Sequence, residues 1–187
     1  MGNTGTATLP PETLPIEDGE VRLTLLCEAD GPQIIAANRD SRDYHAPFVV
    51  PCRDEEAFAA WLEAAGEPAN RSLVARRMVD GALVGVINLT QIARGNFCSA
   101  YMGYHGYAAT AGQGLMTRAL RLGLRHVFDG LGLHRVEANI QPGNLRSIAL
   151  IRRVGFRKEG YSPRYLKIAG EWRDHERWAL TAEDWTG

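Results

Sequence analysis

Two short turns joining three strand-like runs constrain the fold more than any other feature of this 187-residue sequence. The runs cover residues 72–79, 82–92 and 97–105, and the turns between them are Asp80-Gly81 and Gly95-Asn96. Such pairs are typical of tight hairpins, because their backbones adopt positive φ angles readily. The middle of the chain is therefore predicted to form an antiparallel meander of three strands.

The segments on either side of the meander predict a mixed sheet packed against helices. Apolar spacing and capping signals indicate the following order of elements. A strand at 21–27 and helices at 28–38 and 54–65 precede the meander; a helix at 114–131, a strand at 134–141, a helix at 144–154 and strands at 156–159, 164–168 and 172–180 follow it. If Pro163 interrupts the strand without ending it, the runs at 156–159 and 164–168 count as one interrupted strand. The fold class is α+β.

Composition predicts one domain with an ordinary core. Residues 1–19 mix Gly, Thr and Pro and predict a flexible arm, so the domain covers residues 20–187. Apolar residues make up 45% of the chain and charged residues 23%, and this composition suffices for a buried core without stabilising disulfides or metal ions. Three widely spaced cysteines argue against disulfides and a metal site. No signal pattern or apolar run of membrane length is present, so a cytoplasmic protein without membrane association is expected.

Charge is divided unevenly along the chain. Residues 1–70 hold 4 Lys+Arg against 13 Asp+Glu, and residues 71–187 hold 17 against 9. This division suggests an anionic ligand for the rear part and a cationic partner for the front. Direct nucleic-acid binding is not expected, because no dense Lys/Arg run with interleaved aromatics occurs. The oligomeric state, monomer or homodimer, is left open.

A glycine-containing junction between a strand and the longest helix predicts an anion site. The segment Gly112-Gln113-Gly114-Leu115-Met116 offers backbone N–H groups at the positive end of the helix, where phosphate binds well. A flexible turn is the alternative. A dinucleotide-binding turn does not fit, because Thr117 stands where the third glycine is needed. A second helix begins near Asn144, a natural N-cap, with Ser147 in its first turn. Two such helix starts could hold one elongated anionic ligand.

These motifs, taken in order, carry a family resemblance. Beside Gly112 to Met116 they are Gly132-Leu133-His134-Arg135-Val136-Glu137-Ala138, Pro142-Gly143-Asn144 with Ser147, Gly155 to Gly160, and Trp172-Arg173-Asp174-His175. The sequence resembles the GNAT acyltransferase superfamily in its RimJ/RimL branch of ribosomal-protein N-terminal acetyltransferases, and RimJ most. The resemblance implies a mostly antiparallel sheet splayed between two strands, with helices on both faces. It also implies acetyl-CoA as cosubstrate and no metal.

The resemblance assigns roles to residues of this sequence, with three departures. The diphosphate is expected on the amides of Gly112, Gln113, Gly114, Leu115 and Met116, although Ala109 stands where the family usually has Gln or Arg. The tyrosine acid of many relatives is replaced by Ile151, so Ser147 is the candidate acid. The RimL-like carboxylate position falls at Leu166, which leaves Glu137 as the candidate base.

The other candidate contacts come from the strand ends, the second helix and the front of the chain. Tyr104, His105, Asn144 and Arg152 are predicted to contact the cofactor, Arg152 at its 3′-phosphate together with Arg146 or Arg153. Asn38, Arg39, Tyr44 and Asn88 are predicted to contact the acceptor. Ordinary structural explanations, such as a capping Asn144 or a solvated helix face, remain open for them. A strong base is not essential, since roughly a tenth of a protein α-amine is neutral at pH 7.

The lead functional hypothesis is an acetyl-CoA-dependent N-acetyltransferase. It would act on a protein N-terminal α-amine, with that of a ribosomal protein as the first candidate, by direct attack on the thioester. One alternative is the acetylation of a small amine such as an antibiotic or metabolite. Another is a non-catalytic acyl-CoA-binding or ribosome-assembly module, suggested by the missing tyrosine and uncertain base.

Overall fold

Eight strands form one mixed sheet in the computed structural model, which describes residues 14–187. The strands are β1 Ile16–Glu17, β2 Val21–Leu25, β3 Arg71–Arg77, β4 Leu83–Ala93, β5 Ser99–Gly106, β6 Arg135–Ile140, β7 Arg157–Ile168 and β8 Glu171–Thr181. The helices are α1 Gly31–Asp40, α2 Arg42–His45, α3 Glu55–Gly66, α4 Leu115–Arg125 and α5 Leu145–Arg153. None of the helices within residues 14–187 is long and apolar enough to span a membrane.

The predicted meander is confirmed as β3, β4 and β5, which pair antiparallel in sequence order. Gly81 has a φ of +72°, and Asp80 Oδ1 accepts a hydrogen bond of 3.1 Å from the Ala82 amide. This is the chemistry that the Asp-Gly pair supplies to a tight turn. The full order in the sheet is β1-β2-β3-β4-β5-β6-β8-β7.

Helices cover both faces of the sheet because side chains alternate along its central strands. On β3, Leu73 packs into the core cluster that contains Leu120 of α4. The next residue, Val74, points the other way and packs with Ile34 of α1 and Phe58 of α3. The two-residue period of a strand thus divides the core between the two faces.

The sheet opens between β5 and β6, the one parallel pair among the strands of residues 14–187. These strands pair only from Ser99 to Tyr101 and from Arg135 to Glu137. Beyond that point β5 pairs only with β4, and β6 only with β8. The inner edges of residues 102–106 and 138–140 therefore face each other without a ladder, so the predicted splay is confirmed.

The structure also corrects several expectations. Residues 1–13 of the predicted arm lie outside the described residues, but Ile16–Glu17 is a strand that pairs with β2. The short helix α2 lies in a segment predicted to be a loop. The helix predicted over 114–131 ends as α4 at Arg125 and continues as a wider π turn to Gly130. By contrast, the predicted alternative of one interrupted strand is confirmed: the runs at 156–159 and 164–168 form β7, with an irregular register between Ser162 and Leu166.

Candidate functional site

A cavity of about 350 Å³ occupies the opening between β5 and β6, and we call it the splay cavity. Its walls come from the unpaired parts of both strands, from α2 and the residues after it, from the beginnings of α4 and α5, and from β7 and β8. The lining residues are Tyr44, His45, Phe48, Val49, Met102, Gly103, Tyr104, His105, Gly106, Met116, Ala138, Asn139, Ile140, Gln141, Asn144, Arg146, Ser147, Leu150, Leu166, Ile168 and His175.

Two hydroxyl groups meet inside the splay cavity. The Tyr104 hydroxyl oxygen lies 2.7 Å from Ser147 Oγ, within hydrogen-bond distance. Burial raises the pKa of Tyr104 to about 12, although the contact with Ser147 acts in the opposite direction. The phenol therefore keeps its proton at physiological pH. Both hydroxyl groups therefore carry their protons, and the pair can donate a proton to a group bound in the cavity.

The start of α5 fixes the position of Ser147. Asn144 Oδ1 accepts a hydrogen bond of 3.1 Å from the Ser147 amide, so the predicted N-cap is confirmed. One turn later Ile151 is fully buried in the core, which anchors the helix. Capping at one end and burial at the other orient the serine side chain towards the cavity.

The glycine turn before α4 presents free backbone donors. Gly112 and Gly114 have φ angles of +75° and +76°, and a Cβ atom added at either would meet nothing within 4 Å. Within residues 14–187, no group accepts a hydrogen bond from a backbone N–H of Gly112 to Met116. Unpaired amides at a helix start form an anion site. Met116 connects this turn to the splay cavity, whose wall it forms in part.

Asn139 adds an unpartnered acceptor to the same cavity. Its Oδ1 atom is buried and has no hydrogen-bond partner within residues 14–187. Buried polar atoms are seldom left unpaired in folded proteins. Together with the exposed strand edges, Asn139 suits an extended ligand that carries amide groups, because such a ligand pairs like an added strand.

A second cavity of about 650 Å³ adjoins the first, and we call it the lateral cavity. Val49 and His105 line both cavities, so the two meet at these side chains. The other lining residues are Asn38, Val50, Pro51, Cys52, Arg53, Asp54, Ala57, Trp61 and Asn88. A molecule bound in the lateral cavity can thus reach a group bound in the splay cavity.

His105 is held neutral where the cavities meet. Burial, followed by the charge of the nearby His45, lowers the pKa of His105 to about 3. Asn38 donates from Nδ2 to the Cys52 carbonyl oxygen at 2.8 Å, which leaves Asn38 Oδ1 to accept from His105 Nε2 at 3.3 Å. His105 therefore carries its proton on Nε2, and its Nδ1 is free to accept a hydrogen bond.

The remaining predicted site residues are placed unequally. Tyr44 lines the splay cavity, under the Arg146 guanidinium at 4.3 Å from the ring centroid. Arg39 lines neither cavity, but its Nε donates to the Arg53 carbonyl oxygen at 2.6 Å. Gln113 Oε1 accepts from Arg77 Nη1 at 2.9 Å on the surface.

Two further candidates lie outside both cavities. Arg152 is exposed on α5, with its guanidinium carbon 5.1 Å from the Trp178 ring centroid. Glu137 is half-buried on β6, and its Oε1 accepts from Arg135 Nε at 2.9 Å. The structure therefore does not bring Glu137 together with Ser147, and its role as base stays a prediction without geometric support.

Sequence reasoning missed three residues that the fold brings to the cavities. His45 donates from Nε2 to the Gly106 carbonyl oxygen at 2.8 Å and lies edge-on to His105, with ring centroids 4.9 Å apart. Asn139 and Arg53 are the others. Period-two alternation assigns Asn139 to one face of β6, but no local pattern in the sequence distinguishes His45 or Arg53.

With this geometry in view, comparison with known proteins identifies the family. A profile described as an acetyltransferase (GNAT) domain matches residues 20–157, more than half of the chain. The chain belongs to the GNAT acetyltransferase family. The resemblance drawn from the motifs is confirmed.

Named relatives of this GNAT enzyme include ribosomal-protein acetyltransferases. The ribosomal protein uS5-alanine N-acetyltransferase of Escherichia coli (strain K12) is 44% identical over 104 residues, which are 56% of this chain and 54% of that enzyme. The chain spans about half the length of the curated relatives it matches.

Solved structures cover more of the chain. Mycobacterium smegmatis RimJ in complex with CoA-disulfide is 30% identical, with a TM-score of 0.77, over 87% of this chain and 82% of that one. The ribosomal-protein-S5-alanine acetyltransferase of Vibrio fischeri is 25% identical, with a TM-score of 0.78, over 92% and 98%. Vibrio cholerae spermidine N-acetyltransferase shares only the fold, at 19% identity, a TM-score of 0.76 and coverage of 89% and 98%.

Proposed function

We propose that this enzyme transfers an acetyl group from acetyl-CoA to the N-terminal α-amine of a ribosomal protein. The observation that carries the proposal is the junction of two cavities at Val49 and His105. One cavity holds the Tyr104 and Ser147 hydroxyls beside a turn of free amides, and the other opens between α1, α3 and β4. An amine and a thioester bound on the two sides would meet at the junction.

The residues of the splay cavity fit the cosubstrate. The backbone N–H groups of Gly112 to Met116 would bind the diphosphate, since no group in residues 14–187 occupies them. The unpaired edges of β5 and β6, with Asn139 Oδ1, would bind the amides of the pantetheine arm. RimJ of Mycobacterium smegmatis, a structural neighbour, was solved with CoA-disulfide.

The hydroxyl pair supplies the proton that the leaving sulfur needs. Attack by the amine nitrogen forms the amide bond and breaks the carbon–sulfur bond, so the nitrogen loses a proton and the sulfur gains one. Ser147 Oγ donates to the sulfur and is in turn resupplied by the Tyr104 hydroxyl 2.7 Å away. The amine nitrogen releases its proton to solvent, and a proton from solvent restores the Tyr104 hydroxyl. General acid catalysis of this kind contributes about 10²- to 10⁴-fold.

The lateral cavity suits an amine that is already partly neutral. Asp54 is the one carboxylate among the described residues that line either cavity, and its Oδ1 accepts from the Ala57 amide at the start of α3. A protein α-amine has a pKa of about 7.7 to 8.0, far below the roughly 10.4 of lysine. An α-amine therefore needs no strong base, and neutral His105 can accept its hydrogen bond.

Mass spectrometry of acceptors incubated with enzyme and acetyl-CoA tests the proposal. The first peptide to try begins with alanine and copies the N-terminus of ribosomal protein uS5, in keeping with the names of the relatives. We expect one acetyl group on the α-amine and none on lysine side chains. Acetylation of small amines without any peptide would support the small-amine alternative. CoA binding without turnover would support a non-catalytic module.

A further inference from the structure

The lateral cavity offers hydrogen-bond donors on a wall that has few free acceptors. Asn88 Oδ1 accepts from both Ser72 Oγ at 2.7 Å and Trp61 Nε1 at 3.2 Å. These two contacts fix the orientation of the side-chain amide, because only the oxygen can accept. The Asn88 Nδ2 group has no acceptor within residues 14–187. Its two N–H bonds are thus available to a bound molecule.

Arg53 adds a cationic donor to the same wall. Its Nε atom is buried and has no hydrogen-bond partner within the described residues. No carboxylate in residues 14–187 forms an ion pair with it, while its backbone oxygen is held by Arg39 Nε at 2.6 Å. A buried N–H group without an acceptor is costly, and a ligand oxygen that pairs with the guanidinium would reduce that cost.

Apart from His105 Nδ1, which faces the reacting amine, and the second oxygen of Asp54, the side-chain acceptors of this wall are already in use. Asn38 Oδ1 contacts His105 and Asn38 Nδ2 contacts the Cys52 carbonyl. Asp54 is exposed and caps α3. A polyamine, which carries several ammonium groups and no oxygen, would meet Arg53 with repulsion and leave the Asn88 donors unpaired. The wall is complementary to oxygen atoms beside the reacting amine.

We propose that Asn88 and Arg53 are specificity-determining residues that bind the backbone carbonyl oxygens next to the α-amine of a peptide acceptor, and that they reject polyamines. This inference rests on the proposed acetylation of an α-amine and names the part of the acceptor that is recognised. Asn88 Nδ2 donates to one carbonyl, and the Arg53 guanidinium donates to another. A free amino acid offers the same chemistry through its carboxylate, so the two sources need separate arms in the test.

Four acceptors compared with the wild-type enzyme test the oxygen requirement. They are an alanine-initiated tripeptide amide, the same peptide with its first carbonyl reduced to methylene, free alanine, and spermidine. CoA release gives kcat/KM for each. We expect the intact peptide to be best and the reduced peptide to fall by about ten- to one-hundred-fold, because the Asn88 donor loses its acceptor. The values are compared per neutral α-amine, since reduction of the neighbouring carbonyl raises the pKa of that amine.

Variants identify the residues responsible. Asn88→Asp keeps an oxygen for Trp61 and Ser72 but replaces the free donor with an acceptor, and Arg53→Met removes the cation at similar length. Both should lower kcat/KM for the peptide by about ten- to one-hundred-fold while CoA affinity stays unchanged. Arg125→Met, a change at an exposed arginine of α4 outside both cavities, is the matched control. Arg53→Glu should raise kcat/KM for spermidine, a gain that misfolding cannot imitate.

The outcomes separate this inference from the proposed function. If the peptide is acetylated but its reduced form reacts equally well, or both variants match Arg125→Met, the inference is wrong and the proposed function stands. Free alanine as the best acceptor would overturn recognition of a peptide backbone. If the wild type acetylates spermidine and no peptide, both proposals fail together.

Discussion

The splay cavity and the lateral cavity are built from different chemical groups. The first contains two unpaired strand edges and adjoins the free backbone amides of Gly112 to Met116. The second presents side-chain donors, namely those of Asn88 and Arg53. A backbone site depends on φ and ψ angles, whereas a side-chain site depends on residue identity. One fold can therefore keep a common site for the acetyl donor, while the choice of acetyl acceptor changes with a few side chains.

The largest expected effect concerns the hydroxyls, the side-chain part of the splay cavity. Ser147→Ala should lower kcat about one-hundred-fold, because the leaving sulfur loses its proton donor. Single-turnover kinetics measures this step, and CoA affinity by calorimetry should stay unchanged. Tyr104→Phe should cost less, about tenfold, since Tyr104 acts through Ser147.

The double variant sharpens that result. If the two hydroxyls act as one unit, Ser147→Ala with Tyr104→Phe should be no slower than Ser147→Ala alone. Independent, additive losses would contradict the relay. An unchanged kcat in Ser147→Ala would exclude the serine as acid.

The extent to which the sequence predicts these two regions follows from how local each one is. The hairpin at Asp80-Gly81 and the turn at Gly112 to Met116 are written in adjacent residues, so both were predictable. Tyr104 and Ser147 were each predicted, but their contact joins residues 43 apart and needs the fold. Arg53 and His45 reach the cavities only because the segment after α1 packs against β5. Two-residue β1 is too short to show a pattern.

His105, which lines both cavities, should make the stability of the protein depend on pH. The folded protein binds no proton at His105 until about pH 3, whereas the unfolded chain binds one below about 6.5. The unfolding free energy should therefore fall as pH drops through this window, by up to about 1.4 kcal/mol per pH unit from this group. His105→Gln should flatten that dependence in urea unfolding between about pH 7 and about pH 5.

Other buried histidines limit how flat the profile becomes. Burial also lowers the pKa of His45 and His175, so both add to acid sensitivity in the same direction. His175→Gln is the comparison, because His175 lines only the splay cavity. An unchanged slope in His105→Gln would show that His105 is protonated alike in the folded and unfolded states.

A change of backbone conformation alone should weaken CoA binding at the turn of Gly112 to Met116. Gly114→Ala places a Cβ at a φ of +76° without any steric contact, so its effect is backbone strain of about 1–2 kcal/mol. As the turn relaxes, its amides lose their common direction, and CoA should bind about tenfold more weakly. Gly132→Ala is the matched control, with a φ of +60° and equal space. Equal CoA affinity in the two variants would show that the turn at Gly112 to Met116 is not the anion site.

The smallest effect tests whether a side chain supplements that backbone site. Arg152 is exposed and packs beside Trp178, so a contact with the 3′-phosphate would be a screened surface ion pair worth about 0.2–1 kcal/mol. Arg152→Gln should therefore weaken CoA binding about two- to threefold and leave 3′-dephospho-CoA unaffected. Calorimetry with both ligands separates these cases, with Arg125→Gln as control. A loss above about tenfold for CoA alone would mean that side-chain charge, rather than the amides, supplies most of the anion affinity.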